Sequence, residues 1–504
     1  LSSIKKLAGQ TVWYGASSIG ARFLFYMLTP YLTKKFTSTP EYGEMTLVYS
    51  LIPFLNTVVL FGFETAYFRY VQMKKHETEV FNTLTSSLIL STFVITLLMI
   101  LTRAQVAHFI GVDAHPEYIV FSALIIACDA LSAIPFVKLR FEGRPRKFAF
   151  IRIGGILINI AVVYFFLSLC PMLRRKHPDS IFLLIYSAGF GVGYVLLANL
   201  AQAFFQVVAL GKELLQFRWH FNVPLWKEIV IYSLPLTIAG FAGMVNETAD
   251  RIMLKWWGPY STVEDQVYHV GVYGACYKLS ILITLFVQAF RMGAEPFFFR
   301  QSTTENAPAT YARVMKFFVI TICLMFLTVS LYLNIWKYFI QDKRMWSGLR
   351  VVPILLFANM FLGIYINLSI WYKLSRKTSP GAYITLVGAA ITLVINYVFI
   401  PRYSYMACAW ATFLCYGSMM LMSFLWGQRQ YPIPYATKKL TAYLLIVAAL
   451  YLVHHELTGV WKNEWFSLGL ATVFTLGFAL FILRIEKKEF QKLPYLGKLI
   501  DRLT

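Results

Sequence analysis

Apolar residues fall along the chain in runs of about twenty, the length at which an α-helix rising about 1.5 Å per residue crosses a hydrocarbon core ~30 Å thick. Fourteen such runs lie near 11–33, 43–66, 80–101, 117–138, 148–169, 181–209, 228–254, 267–292, 311–335, 350–371, 381–400, 405–426, 440–455 and 464–484. They predict an all-α polytopic membrane protein with about fourteen transmembrane helices. The polar intervals are short. The longest, near 210–228 and 292–311, hold fewer than 25 residues and leave no room for a soluble domain. The first of them, LGKELLQFRWHFNVPLWKE, is amphipathic and follows the sixth run, so it reads as an elbow. On that division residues 1–210 hold helices 1–6, 211–227 link, 228–426 hold helices 7–12, and 427–504 hold two further helices and a basic tail. An internal echo agrees with it: EYGEMTLVYSLIPFL (41–55) resembles GVYGACYKLSILITL (271–285), each in the second span of a six-span unit. Paired repeats with a site between them recur in transporters. Pro53, Pro135, Pro235 and Pro353 fall inside runs, where a lost backbone hydrogen bond bends a helix.

With 58% hydrophobic residues, 14% charged residues and a mean hydropathy of +0.61, the chain is too apolar to cover a water-soluble surface. Its net charge of +22 raises nucleic acid as a partner. Sorting the 46 Lys and Arg by an N-terminus-inside topology, with those near a run's end counted on the nearer side, removes that reading: thirty fall inside, fourteen outside and two, Arg22 and Lys278, deep within runs. This is the positive-inside bias, strongest in KLRFEGRPRKFAFIR (138–152), and it puts both termini in the cytoplasm. The tail RIEKKEFQKLPYLGKLIDRLT is basic and amphipathic, suited to anionic lipid headgroups. The opening LSSIKKLAG leads straight into a full-length run, with no cleavable signal-peptide pattern. The six cysteines (128, 170, 276, 323, 408, 415) lack metal-ligand spacing, and the eight histidines form no HxxxH or HExxH. Neither a metal, a cofactor nor enzyme chemistry is expected.

A charge near the bilayer centre costs on the order of 3 kcal/mol even on lenient insertion scales, so each charge inside a run needs a partner or a polar cavity. Arg22 shares helical spacing with Ser18, Tyr26 and Thr29, which makes one face of the first helix polar. That face lines water or a ligand, unless Arg22 snorkels to an interface. In the eighth run Tyr273, Tyr277, Ser280, Thr284, Gln288, Arg291 and Glu295 form one stripe, and Lys278 lies about 100° from its centre. The stripe is expected to face a cavity with Lys278 at its margin, holding an anion or pairing with a carboxylate on a neighbouring helix. Arg69 ends the second run, as a cavity cation or an interfacial anchor. Asp129, midway along the fourth run, would be protonated, paired or part of an H⁺ or Na⁺ relay. In VNETADR, Glu247 and Arg251 stand at i, i+4 with Asp250 between them, a structural or gate-forming set. Asn159, Asn359, Asn367 and Asn396 read as helix–helix glue.

Five segments carry a family resemblance: GEMTLVYSLIPFLNTVVLFGFETAYFRY (43–70), YSLPLTIAGFAGMVNETADRIML (232–254), VYGACYKLS with FRMGAEPFF (272–298), VVPILLFANMFLGIYINLSIWYKLSRKT (351–378) and NYVFIPRYSYMACAWAT (396–412). Together they resemble the bacterial oligosaccharide repeat-unit (Wzx-type) flippases, of the superfamily that includes lipid II flippases and multidrug and toxin extruders. One departure stands out. The family has glycines in an IPxYGxxGAA stretch where this chain has Ser404 and Ala407. The resemblance implies two six-helix lobes around a central cavity, two further helices, alternating access in the bacterial inner membrane, and a polyprenyl-pyrophosphate-linked glycan as cargo. It also implies a cationic cavity with basic residues from the first, second and eighth helices, which fits Arg22, Arg69 and Lys278, joined by Arg291 on the stripe. Coupling to Na⁺, H⁺ or the membrane potential and contact with other polysaccharide assembly proteins belong to the same expectation. The rivals are a multidrug-type exporter, which would favour acidic cavity walls, and a membrane glycosyltransferase or polymerase, for which the short outer loops offer no carboxylate pair.

Overall fold

The computed structural model describes residues 20, 22–36, 40–73, 77–302, 306–374 and 379–491. Ser18 and most of the basic tail therefore lie outside the described residues, as does the N-terminal segment read for a signal peptide. In chain order the helices are α1 (Thr29–Lys35, with helical turns from residue 22), α2 (Glu41–Leu60 and Phe63–Met73), α3 (Glu77–Leu101), α4 (Glu117–Phe141), α5 (Pro145–Lys176), α6 (Gly193–Ala209) and α7 (Val223–Trp257). There follow α8 (Val263–Gln301), α9 (Ala307–Ser330), α10 (Val352–Leu368), α11 (Ser379–Tyr403), α12 (Tyr405–Gln430), α13 (Thr437–Val460) and α14 (Glu464–Ile485). Among the described residues, twelve of these, all but α1 and α6, belong to stretches long and apolar enough to cross a membrane, α10 together with its flanking turns as Lys343–Leu374.

Local chemistry sets the boundaries. The Asn222 side chain accepts from Leu225 N at 2.9 Å to start α7, and Thr262 accepts from Asp265 N at 3.1 Å to start α8. The run at 181–209 is not one helix. Gly191 takes a left-handed φ of +40°, and Tyr194 pins the preceding stretch, accepting from Ser187 N at 2.5 Å and donating to Ser187 O at 3.0 Å. Residues 181–190 consequently form short 3₁₀ turns that leave Ile181, Phe182, Leu184 and Ile185 exposed. α2 is interrupted as well: Phe61 and Gly62 both adopt positive φ, 46° and 66°, where the helix passes Ser233 and Leu236 of α7.

Within the first group, α3 and α6 pack on α4, and α5 packs on α6; within the second, α7 packs on α11, and α10 on α8, α9 and α12. Across the groups α2 packs on both α7 and α8. The end of the molecule at Phe141–Pro145 is called the basic end below, and the opposite one the far end. At the far end the two echo segments meet almost backbone to backbone. A Cβ at Gly43 would stand 1.9 Å from the Val267 carbonyl oxygen, and one at Gly271 would stand 2.9 Å from Gly43 N.

The linker is strapped down. Glu213 is buried and bonded to Arg144 Nη1 at 2.8 Å and Lys147 Nζ at 2.6 Å, while Lys138 Nζ reaches Gln216 at 2.7 Å. The first turns of α7 also pack on the first group, with Leu225 and Ile229 against Phe63, Tyr67, Phe81 and Val137. The elbow expected at 211–227 is thus bonded to one group instead of hanging between two. α13 and α14 pack on α9, tied by Glu486, which takes bonds from Lys316 at 2.7 Å, Tyr443 at 2.8 Å and Lys439 at 3.1 Å. Burial alone would raise the Glu486 pKa; the hydrogen bonds, that of Lys316 foremost, outweigh it and hold the carboxyl below its ordinary value.

Candidate binding cavity

Between the two groups lies a cavity of about 990 Å³, lined by α1, α2, α4–α8 and α10–α12. Its lining runs from Tyr26 and Tyr277 towards Glu64, Arg140, Phe148 and Arg291 at the basic end. Five cations line it: Arg22, Arg140, Arg152, Lys278 and Arg291. They differ in what holds them. Arg140 is paired with Glu64 at 2.9 Å, and Arg291 Nε donates to Glu295 at 3.1 Å, the same carboxylate that takes Lys373 Nζ at 2.5 Å. Arg152 stacks its guanidinium over Phe136 at 4.3 Å and Phe148 at 5.7 Å. Arg22, Arg152 and Lys278 have no carboxylate within ion-pair distance among the described residues.

Three carboxylates share the lining: Glu64, Asp129 and Glu247. Asp129 accepts from Asn56 Nδ2 at 3.5 Å and has Arg152 as its charged neighbour. Glu247 is exposed, and Arg22 feels it together with Arg291. Tyr26, Asn56, Gln202 and Asn359 line the same space, and each keeps a buried oxygen with no hydrogen-bond partner among the described residues. The arrangement is a polar, net-positive chamber between two helical groups that touch at the far end.

The comparisons with known proteins bear on the fold. Residues 35–172 match a family model described as polysaccharide biosynthesis protein. The structure of the lipid II flippase MurJ in an inward closed conformation superposes with a TM-score of 0.68 at 12% identity, over 94% of this chain and 99% of that one. An inward-facing multidrug resistance MATE family transporter of the MOP superfamily gives 0.56 at 12% identity, over 83% and 95%. The Vibrio cholerae MATE transporter VcmN in its bent form gives 0.53 at 10%, over 85% and 99%. This chain has the MOP-superfamily fold. No curated protein matches it by sequence.

On the MOP fold the residues singled out from sequence separate into three sets. Arg22, Tyr26, Tyr277, Lys278, Thr284, Gln288, Arg291, Asp129 and Glu247 line the cavity. Arg69 does not: its guanidinium lies 4.2 Å over the Tyr232 ring, between α2 and α7. Ser280 is fully buried and donates to Tyr277 O at 2.7 Å, so it belongs to the packing of α8 and not to the lining. The cavity face of α8 is rotated from the expected stripe. It centres on Tyr277, Lys278, Ile281, Thr284, Leu285, Gln288 and Arg291, with Lys278 facing the chamber instead of its margin. Tyr273 turns away, donating to Asp250 Oδ2 at 2.6 Å.

That bond belongs to a buried cluster on α7 and α8. Arg251 pairs with Asp250 at 2.9 Å, also donates to the Glu247 carbonyl, and stacks 4.2 Å over Tyr277. The i, i+4 partnership of Glu247 and Arg251 does not form: Asp250 takes the guanidinium, and Glu247 turns to the cavity. Two lining cations escaped the sequence reading, Arg140 and Arg152, because both stand in the segment that dominates the positive-inside count. Arg152 lies two turns inside α5, and that depth was the available signal.

Proposed function

We propose that the protein is a flippase that carries a polyprenyl-diphosphate-linked oligosaccharide across the bacterial inner membrane by alternating access, with both termini cytoplasmic. The observation that carries this reading is the set of cations lining one chamber, three of them without a carboxylate at ion-pair distance among the described residues. A diphosphate cannot cross hydrocarbon unaided, because stripping its hydration is prohibitive; fixed cations in a wet chamber replace part of that hydration. Arg22 and Lys278 hold the diphosphate, the planar fork of arginine engaging two oxygens and lysine acting as a point charge. Asp129, hydrogen-bonded by Asn56 and with Arg152 as its charged neighbour, is the carboxylate through which a coupling H⁺ or Na⁺ would bias the two access states. The likeness to a lipid II flippase and to a polysaccharide biosynthesis family supports an amphiphilic glycan cargo over a small cation.

Proteoliposomes with a fluorescent lipid-linked glycan test the function directly. Protein-dependent loss of outer-leaflet signal is expected, and a rate equal to that of protein-free vesicles would reject the reading. For orientation, an impermeant thiol reagent applied outside should label a cysteine placed at Lys176 and spare one at Lys377. The reverse pattern would invert the topology.

A further inference from the structure

The charge of the chamber says something about the sugar as well as the phosphate. Five lining cations face three lining carboxylates, an excess of two positive charges among the described residues while Asp129 carries no coupling ion. The surroundings leave that balance unchanged. Glu295 beside Arg291 is offset by Lys373, and Arg251, the charged neighbour of Lys278, is offset by Asp250. A diphosphate esterified at both ends carries one negative charge on each phosphorus, so it uses up the excess. Any acidic group on the glycan would then have no cation left to meet, and would face Glu247 and Asp129 across the chamber.

Resting on the reading of the chamber as a diphosphate–lipid site, we infer that the cargo glycan is uncharged, and that Glu247 selects against acidic sugars. Charge repulsion in a partly desolvated space is an economical device for specificity, since it penalises the wrong cargo without tightening the hold on the right one.

The full chain in nanodiscs, titrated with three short-chain polyprenyl diphosphates, tests this. One probe bears no sugar, one a neutral disaccharide and one the same disaccharide with a uronate. The neutral disaccharide should bind about 10-fold more tightly than the uronate probe, a difference of about 1.4 kcal/mol. Glu247→Gln should narrow the gap to about 3-fold or less. A uronate probe that binds as tightly as the neutral one overturns the inference and leaves the proposed function standing. So does a gap that Glu247→Gln fails to narrow. Failure of every diphosphate probe to bind overturns the proposed function itself.

Discussion

α8 borders two polar regions built from the same kinds of residue and put to opposite uses. In one, Arg251, Asp250 and Tyr273 close on each other, buried, with donors and acceptors matched at 2.9 and 2.6 Å. In the other, less than two turns along the helix, Lys278 faces a chamber with no carboxylate within ion-pair distance among the described residues. A buried pair that satisfies itself adds little net stability, yet it is costly to break, because the surviving charge has nowhere to go. An unpaired cation in a wet cavity contributes little to folding and is available to a ligand. Pairing therefore separates these regions where residue type cannot.

The contrast can be attacked from several sides. Arg251→Ala should cost about 3–5 kcal/mol by leaving the Asp250 charge buried without its cation, read as a large drop in the melting temperature of the purified protein. An unchanged melting temperature would show that the cluster is no more structural than the cavity. The double variant Arg22→Ala, Lys278→Ala should melt like the wild type yet lose about 10- to 100-fold in flipping rate, on the order of 1.4–2.7 kcal/mol. Full transport by that variant would take both cations out of the mechanism. The charge-conserving changes are expected to differ by a few-fold, Arg22→Lys being the more damaging because it loses the fork. Equal rates for Arg22→Lys and Lys278→Arg would mean that only charge matters there.

The smallest effect should come from Glu486, which is buried and paired like Asp250 but lies beyond the end of α14. Its depressed pKa means the stabilisation is fully present above the ordinary carboxylate value, about 4.3, and is lost as pH falls through the lower folded value. Melting curves taken from pH 6 downward should therefore show Glu486→Gln approaching the wild type in acid. A deficit of the variant that stays constant with pH would show that the Lys316 pairing is not what stabilises the carboxylate.

The helices were legible because hydrophobic run length is nearly a direct readout of bilayer thickness, and Arg22 was legible because an arginine inside such a run has few other uses. The orientation of α8 was not. Its polar stripe was judged by chemistry alone, and Tyr273 and Ser280 spend their polar atoms inside the protein, on Asp250 and on a backbone carbonyl. Arg251 was assigned the partner four residues back, whereas its neighbour Asp250 took it; helical spacing counts opportunities, and tertiary packing chooses among them. Arg152 was hidden by a correct inference, since a residue that orients a protein by its charge can also reach inward from α5. The break at Gly191 went unseen because an unbroken apolar run carries no mark of where its helix begins.

The contact of Gly43 with Val267 and Gly271 bears on energetics of another sort. Where two backbones meet this closely there is no room between them for a water file, and the contact itself is made by groups that neither titrate nor are screened. Its tightness should therefore be indifferent to acidity and to salt, unlike a barrier made of an ion pair. If the chamber carries the cargo proposed above, such a seam would let that cargo wait inside without opening a path for small ions beside it.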